Sequence, residues 1–246
     1  MKKGVLSSVL IATFLLVGCE QSLSSEEVVT EVKANQESVE NYQAFIELAV
    51  SITNQESGEI LQESNSVTDI VFNETNLDNY GTLTASDGAN TMVQEHYSIG
   101  DQAFLNLDDQ GWMDVSTQQE TLFQNTGTTY EHLFPIVETI SNVGEMTEDD
   151  DSYIYSFQGV SEELYSAFET PYSLRFGAVP PNEVEHETIL VIDKETLIIE
   201  ELNSKLSGEQ EGHELLMNIK HEYDNMNEMN DMKIPQEVID AATNPR

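Results

Sequence analysis

The groups in this sequence that could do chemistry are His96, His132, His186, His213 and His221, a methionine series at Met226, Met229 and Met232, and 46 acidic residues. None falls into a spacing that chemistry requires. A zinc protease helix needs two histidines flanking a Glu as His-Glu-x-x-His, and that pattern does not occur. Neither does Gly-x-Ser-x-Gly, which would hold a nucleophilic serine on a strained turn, nor a phosphate-cradling P-loop. Carboxylate pairs are abundant, but at this acid content they arise by chance, so a glycosidase reading has no support. Thioethers suit Cu(I), yet such sites usually add Cys or His, and Met226, Met229 and Met232 sit in an Asn-rich stretch that reads as a connection. Glu148-Asp149-Asp150-Asp151 lacks the ligand spacing and glycine turn of an EF-hand loop, and reads as solvated loop. His221 falls on the apolar side of an alternating segment and reads as a core or cavity histidine. The chain therefore reads as a non-enzyme, with no metal and no cofactor.

The one residue with a clear chemical context is Cys19. Met1-Lys2-Lys3 is a basic start, Gly4 to Val17 is uncharged and largely apolar, and Leu16-Val17-Gly18-Cys19 closes the run. This is the layout of a secretory signal peptide, and the apolar part is too short to span a bilayer comfortably. Its last four residues resemble a bacterial lipobox, in which the cysteine is lipidated on sulfur and becomes the mature N-terminus. Cys19 is also the only cysteine, so disulfides and cysteine-based zinc sites are excluded. The expected organisation is a signal peptide over 1–18, a lipidated Cys19 with a short tether over 19–25, and one domain over 26–246. No later stretch is apolar and long enough to cross a bilayer. The expected location is the extracytoplasmic face of the cell membrane, held by the lipid on Cys19.

The formal net charge is −37, from 46 acidic and 9 basic residues. A surface this negative repels nucleic acid, so nucleic-acid partners are excluded. The acids are scattered rather than blocked, which points to a solvated, solubilising surface more than to a cation site.

The elements follow from periodicity. Ser24 to Glu27 reads as a capping box with a Leu23–Val28 staple, opening a helix to about Glu40 with a stripe of Val28, Val32, Val39 and Tyr42. Ala44 to Thr53 alternates as a strand, and 59–74 carries another. Asn76 to Asn90 is rich in Gly, Asn and Asp and reads as loop. Strands resume over 92–99, 103–107 and 112–115, turning at Gly100-Asp101 and at Asp108 to Gly111. Tyr130 to Ile140 is helical and interrupted or begun at Pro135. A strand at 153–157, a short helix from Ser161 to Phe168, and strands at 186–192, 197–206 and 215–223 follow. A terminal helix at 234–239 has Pro235 near its first turn.

The lipobox, Ser98-Ile99-Gly100-Asp101-Gln102-Ala103-Phe104, Gly111-Trp112-Met113, Ile192-Asp193-Lys194-Glu195-Thr196 and Ile234-Pro235 together span nearly the whole mature chain. With this element order they resemble the LolA/LppX-like lipoprotein superfamily, most closely its uncharacterised Gram-positive branch of DUF6612 type. That resemblance implies an α+β fold: a strongly curved antiparallel sheet, an incomplete barrel, with helices covering its concave side. It also implies an apolar cavity for a lipid or amphiphile. The candidate lining is Phe45, Tyr97, Phe104, Trp112, Tyr153, Tyr155, Phe157, Met217, Ile219 and Tyr223; ordinary sheet core is the other reading of the same residues. The expected function is a membrane-anchored module binding an apolar or amphipathic ligand. The alternative is an envelope interaction protein with no small ligand.

Overall fold

The computed structural model describes residues 22–119, 129–172, 176, 179–229 and 232–243. The expected signal peptide and Cys19 lie outside the described residues. Ser24 caps the first helix, α1 (Ser25–Gln36). Its hydroxyl accepts from Glu27 N, and the Glu27 carboxylate accepts from Ser24 N at 2.9 Å. The helix stops at Gln36, four residues short of the expected end. Ser38 Oγ bonds back to Asn35 O at 2.6 Å and begins the turn into a strand. Val28 and Val32 are therefore the buried stripe of α1, while Val39 belongs to the connection and Tyr42 to the first strand.

Eleven strands form one antiparallel sheet in the order β6-β5-β4-β3-β2-β1-β11-β10-β9-β8-β7. They are β1 (Asn41–Asn54), β2 (Ile60–Asn73), β3 (Asn79–Ser86), β4 (Thr91–Ile99), β5 (Gln102–Leu107), β6 (Trp112–Asp114), β7 (Glu145–Glu148), β8 (Ser152–Val160), β9 (Glu185–Asp193), β10 (Ile199–Gln210) and β11 (His213–Asp224). Two meanders, β1–β6 and β7–β11, are joined through the β1–β11 pair at the centre. The outer strands β6 and β7 do not meet, so the curved sheet stays open. The fold is α+β, as the resemblance implies.

The stretch read as loop, Asn76 to Asn90, holds β3. Its Asn, Gly, Thr and Ser content hides it, but β2 and β4 satisfy its backbone from both sides. Gly81 is required there, because a Cβ would run into Asp69 O of β2. The Glu148–Asp151 segment likewise begins inside an edge strand, β7.

Side chains alternate between the two faces of a strand, so register decides which face each residue joins. Tyr42, Ala44, Ile46 and Leu48 of β1 share a face with Phe72 and Ile70 of β2 and with Tyr223, His221 and Ile219 of β11. This core face is covered by α1, α2 (Phe134–Val143, entered through a 3₁₀ turn at Tyr130–Leu133 with Pro135 in its first turn) and α3 (Glu162–Tyr172). Leu133, Ile136, Ile140, Leu164 and Phe168 are fully buried against it. The Lys33–Glu138 pair links α1 to α2 at 2.6 Å, but both side chains are about half exposed, so it contributes little. The fourth helix, α4 (Gln236–Thr243), packs elsewhere, against β5 and β6 at the far wing.

Candidate functional site

Among the described residues the core face is lined by buried, closely packed side chains. Tyr42, Tyr130 and Tyr223 pack edge-to-face and tilted, with centroids 5.2 to 6.1 Å apart. Their hydroxyls are used structurally: Tyr42 donates to Glu74 at 2.9 Å and accepts from Tyr130 N, and Tyr130 Oη accepts from Ile199 N at 2.8 Å. Burial, reinforced by the Glu74 carboxylate, holds the Tyr42 phenol far above the ordinary range. His221 is buried between Tyr172 Oη, 2.8 Å from Nε2, and Tyr223 Oη, 3.3 Å from Nδ1. Desolvation pushes its pKa down to about 3, so it is neutral and structural.

The ten residues of the candidate lining do not come together. Tyr153, Tyr155, Met217, Ile219 and Tyr223 are buried on the core face, and Phe157 is half-buried beside them. Phe45, Tyr97, Phe104 and Trp112 fall on the opposite, open face, because each sits one residue out of phase with the core positions of its strand. Phe45 lies under the Lys220 ammonium at 5.8 Å, and Phe104 is buried on the strand that α4 packs against. The methionine series also separates. Met226 packs on the core, whereas Met229 and Met232 border a small pocket on the open face.

One cavity of the sheet is a trough of about 960 Å³ on the open face of β1 and β7–β11. Its floor is built from residues that alternate with the core. Glu47 and Ala49 come from β1, Asn218 and Lys220 from β11, Asn203 and Lys205 from β10, Glu187 and Ile189 from β9, and Ser156 and Gln158 from β8. Val143 and Gly144 close one side, where α2 turns into β7. Of the expected lining, only Phe157 and Ile219 border this space. Ile189 is 46% exposed, a large apolar side chain left uncovered among polar neighbours.

Two of the chain's nine basic residues, Lys205 and Lys220, converge here from neighbouring strands. Lys205 pairs with Glu187 at 3.2 Å and Lys220 with Glu222 at 2.7 Å. Hydrogen bonding to Glu222 raises the Lys220 pKa, and the nearby charges of Glu222, Glu201 and Glu47 add to the rise. All four partners are substantially exposed, so these pairs exchange readily with solvent. The trough thus combines exchangeable ammonium groups, amide donors and acceptors, and a small apolar floor. The signal for it was present in the sequence: lysines are scarce, and a tight turn at Glu211-Gly212 brings Lys205 and Lys220 into adjacent strands.

Among the described residues no helix is long and apolar enough to cross a membrane, and no group of three metal-ligating side chains occurs. The ywiB protein from Bacillus subtilis is 11% identical, with a TM-score of 0.20 over 76% of this chain and 96% of its own. A DUF1329 family protein from Desulfovibrio piger ATCC 29098 is 9% identical, with a TM-score of 0.22 over 87% of this chain and 96% of its own. Likeness of that degree bears on neither fold nor function. No curated protein matches the chain. Residues 24–243, nearly all of the described structure, match the model of a family of unknown function, DUF6612, and the chain belongs to that family.

Proposed function

We propose that this protein is an extracytoplasmic binding module, held to the membrane by a lipid on Cys19, which takes an amphipathic ligand in the trough of the open face. The observation that carries the reading is the trough itself. Its volume of about 960 Å³ lies in the range of small-molecule sites, and it presents apolar floor and convergent polar groups together. The burial of the described core-face side chains favours placing the ligand here. Binding rests on burial of apolar surface over Ile189, Ala49 and Val143, at ~25 cal/mol per Å². Lys205 and Lys220 orient a polar or anionic head. No bond is made or broken.

Displacement of a fluorescent fatty acid, read beside native mass spectrometry of gently purified protein, tests this. Wild-type protein should carry an adduct and displace the probe. The double variant Lys205→Ala/Lys220→Ala, altered only at exposed positions, should fold normally and bind about tenfold more weakly. Wild-type protein without adduct or displacement would remove the ligand from the proposal.

A second reading, envelope interaction without a small ligand, draws on a different observation. Ile60 and Leu61 are 58% and 50% exposed at the start of β2, where β3 does not reach, since pairing begins only at Asn65. Adjacent exposed apolar residues on an uncovered strand edge are a docking feature. Cross-linking from this edge to another envelope protein, with no ligand in the trough, would favour it.

A further inference from the structure

The far wing of the open face carries a second pocket, built independently of the trough. Cross-strand pairing lays down two rows there. One runs Val71, Tyr80, Tyr97, Phe104 and the next runs Asp69, Thr82, Glu95, Asn106, Trp112. The Tyr80 and Tyr97 rings lie nearly parallel, with centroids 5.6 Å apart and 17° between planes. Trp112 leans across β5 to bring its centroid within 5.4 Å of Tyr97, tilted by 52°, so the aromatic walls are not coplanar. A pocket of about 300 Å³ opens among these rings, with Asp69 and Glu95 at its carboxylate side and Met229 closing it.

None of the three rings is fully buried, so each keeps surface for a further contact. Asp69 accepts from the Gln43 amide and Glu95 from the Asn106 amide, at 2.9 and 2.8 Å. Among the described residues neither carboxylate is in an ion pair, whereas Lys33, Lys194, Lys205 and Lys220 are all engaged elsewhere. Lys233 borders the adjoining space, which shares Val71, Tyr80, Tyr97 and Met229 with this pocket, and it does not line the pocket itself. The local field is negative: burial raises the Tyr97 phenol pKa, and Tyr80, Glu95 and Glu237 push it further. Three partly exposed rings and two carboxylates outside any ion pair, around a volume of about 300 Å³, suit one class of ligand.

We propose that this pocket binds an organic cation, a quaternary ammonium or alkylammonium group, through cation–π contact with Tyr80, Tyr97 and Trp112 and charge pairing with Asp69 and Glu95. Methyl groups on nitrogen spread the charge and lower the desolvation cost, which is what an aromatic wall rewards.

Trp112 is the only tryptophan in the chain, so its emission reports on this pocket alone. The full-length protein, held in a mild detergent, is titrated with choline and with its neutral isostere, in which carbon replaces the charged nitrogen. Choline should change Trp112 emission saturably and the isostere should not. Tyr80→Leu and Glu95→Gln should each weaken choline binding about 3- to 30-fold. Glu95→Gln keeps an acceptor for Asn106, so it stands as the test should Tyr80→Leu fail to fold. The proposal is overturned if choline gives no saturable change, if the isostere or a neutral sugar perturbs Trp112 equally, or if Glu95→Gln binds choline as wild type does. Loss of lipid binding in the trough would leave these outcomes unchanged.

Discussion

Replacing His186 with Phe should flatten the acid limb of the stability profile. His186 is fully buried on the core face of β9, ringed by Phe157, Tyr165 and Phe168 at centroid distances of 6.1 to 6.5 Å. Among the described residues neither ring nitrogen has a hydrogen-bond partner. Desolvation lowers its pKa from 6.5 to about 4, so the folded protein holds it neutral. The unfolded chain takes up a proton at higher pH than the folded one. Stability from this residue is therefore complete above about pH 6.5 and is lost as pH falls toward 4. Near pH 5 the loss is about 2 kcal/mol, from about 1.5 pH units at ~1.36 kcal/mol each. His96, lowered to about 4, and His221, lowered to about 3, act in the same direction. Together the three approach about 6 kcal/mol, a large part of the 5–15 kcal/mol that holds an ordinary domain.

Phe at position 186 fits the aromatic surroundings, with Gly159 directly across the strand pair, and removes two unsatisfied buried nitrogens. Near pH 7.5 the variant should lie within about 1 kcal/mol of wild type, since relief of about 1–3 kcal/mol of unpaired polar burial offsets the larger ring. Urea unfolding at a series of pH values measures both quantities. The reasoning fails if His186→Phe keeps the wild-type slope between about pH 7.5 and 5, or if it loses more than about 2 kcal/mol at neutral pH. The second outcome would mean that the ring nitrogens are bonded after all.

Two further expectations can be checked with standard measurements. Gly81→Ala should destabilise the domain by about 1–3 kcal/mol or more, because the added methyl meets the backbone of β2 and no flexible side chain can yield; denaturant midpoints read this directly. Cys19→Ser should leave the domain's melting temperature unchanged and abolish membrane retention. Fractionation with labelled palmitate decides the matter, and wild-type protein that takes up no label and washes off in high salt would end the anchor proposal.

Several parts of the fold were legible before any tertiary information. The Ser24–Glu27 capping box, the alternation of β1 and β11, the turn at Gly100, and Pro135 at the head of α2 are local devices, set by residues within a few positions of one another. The absence of catalytic spacings was equally a local reading. β3 was hidden because its stability comes from two neighbours distant in sequence and not from its own composition.

The sequence by itself determined the helix starts, the periodicities and the acidic, lysine-poor character of the surface. Only the tertiary structure decided which aromatic belongs to which face. Phase along a strand is fixed by pairing, and a shift of one residue moves a side chain through the sheet. That is why Tyr153 and Tyr155 enter the core while Tyr97 and Trp112 line an open pocket, although all four lie on alternating strands. It is also why the trough is floored by Lys205, Lys220 and Ile189, residues whose meaning depends on partners that only the folded sheet brings beside them.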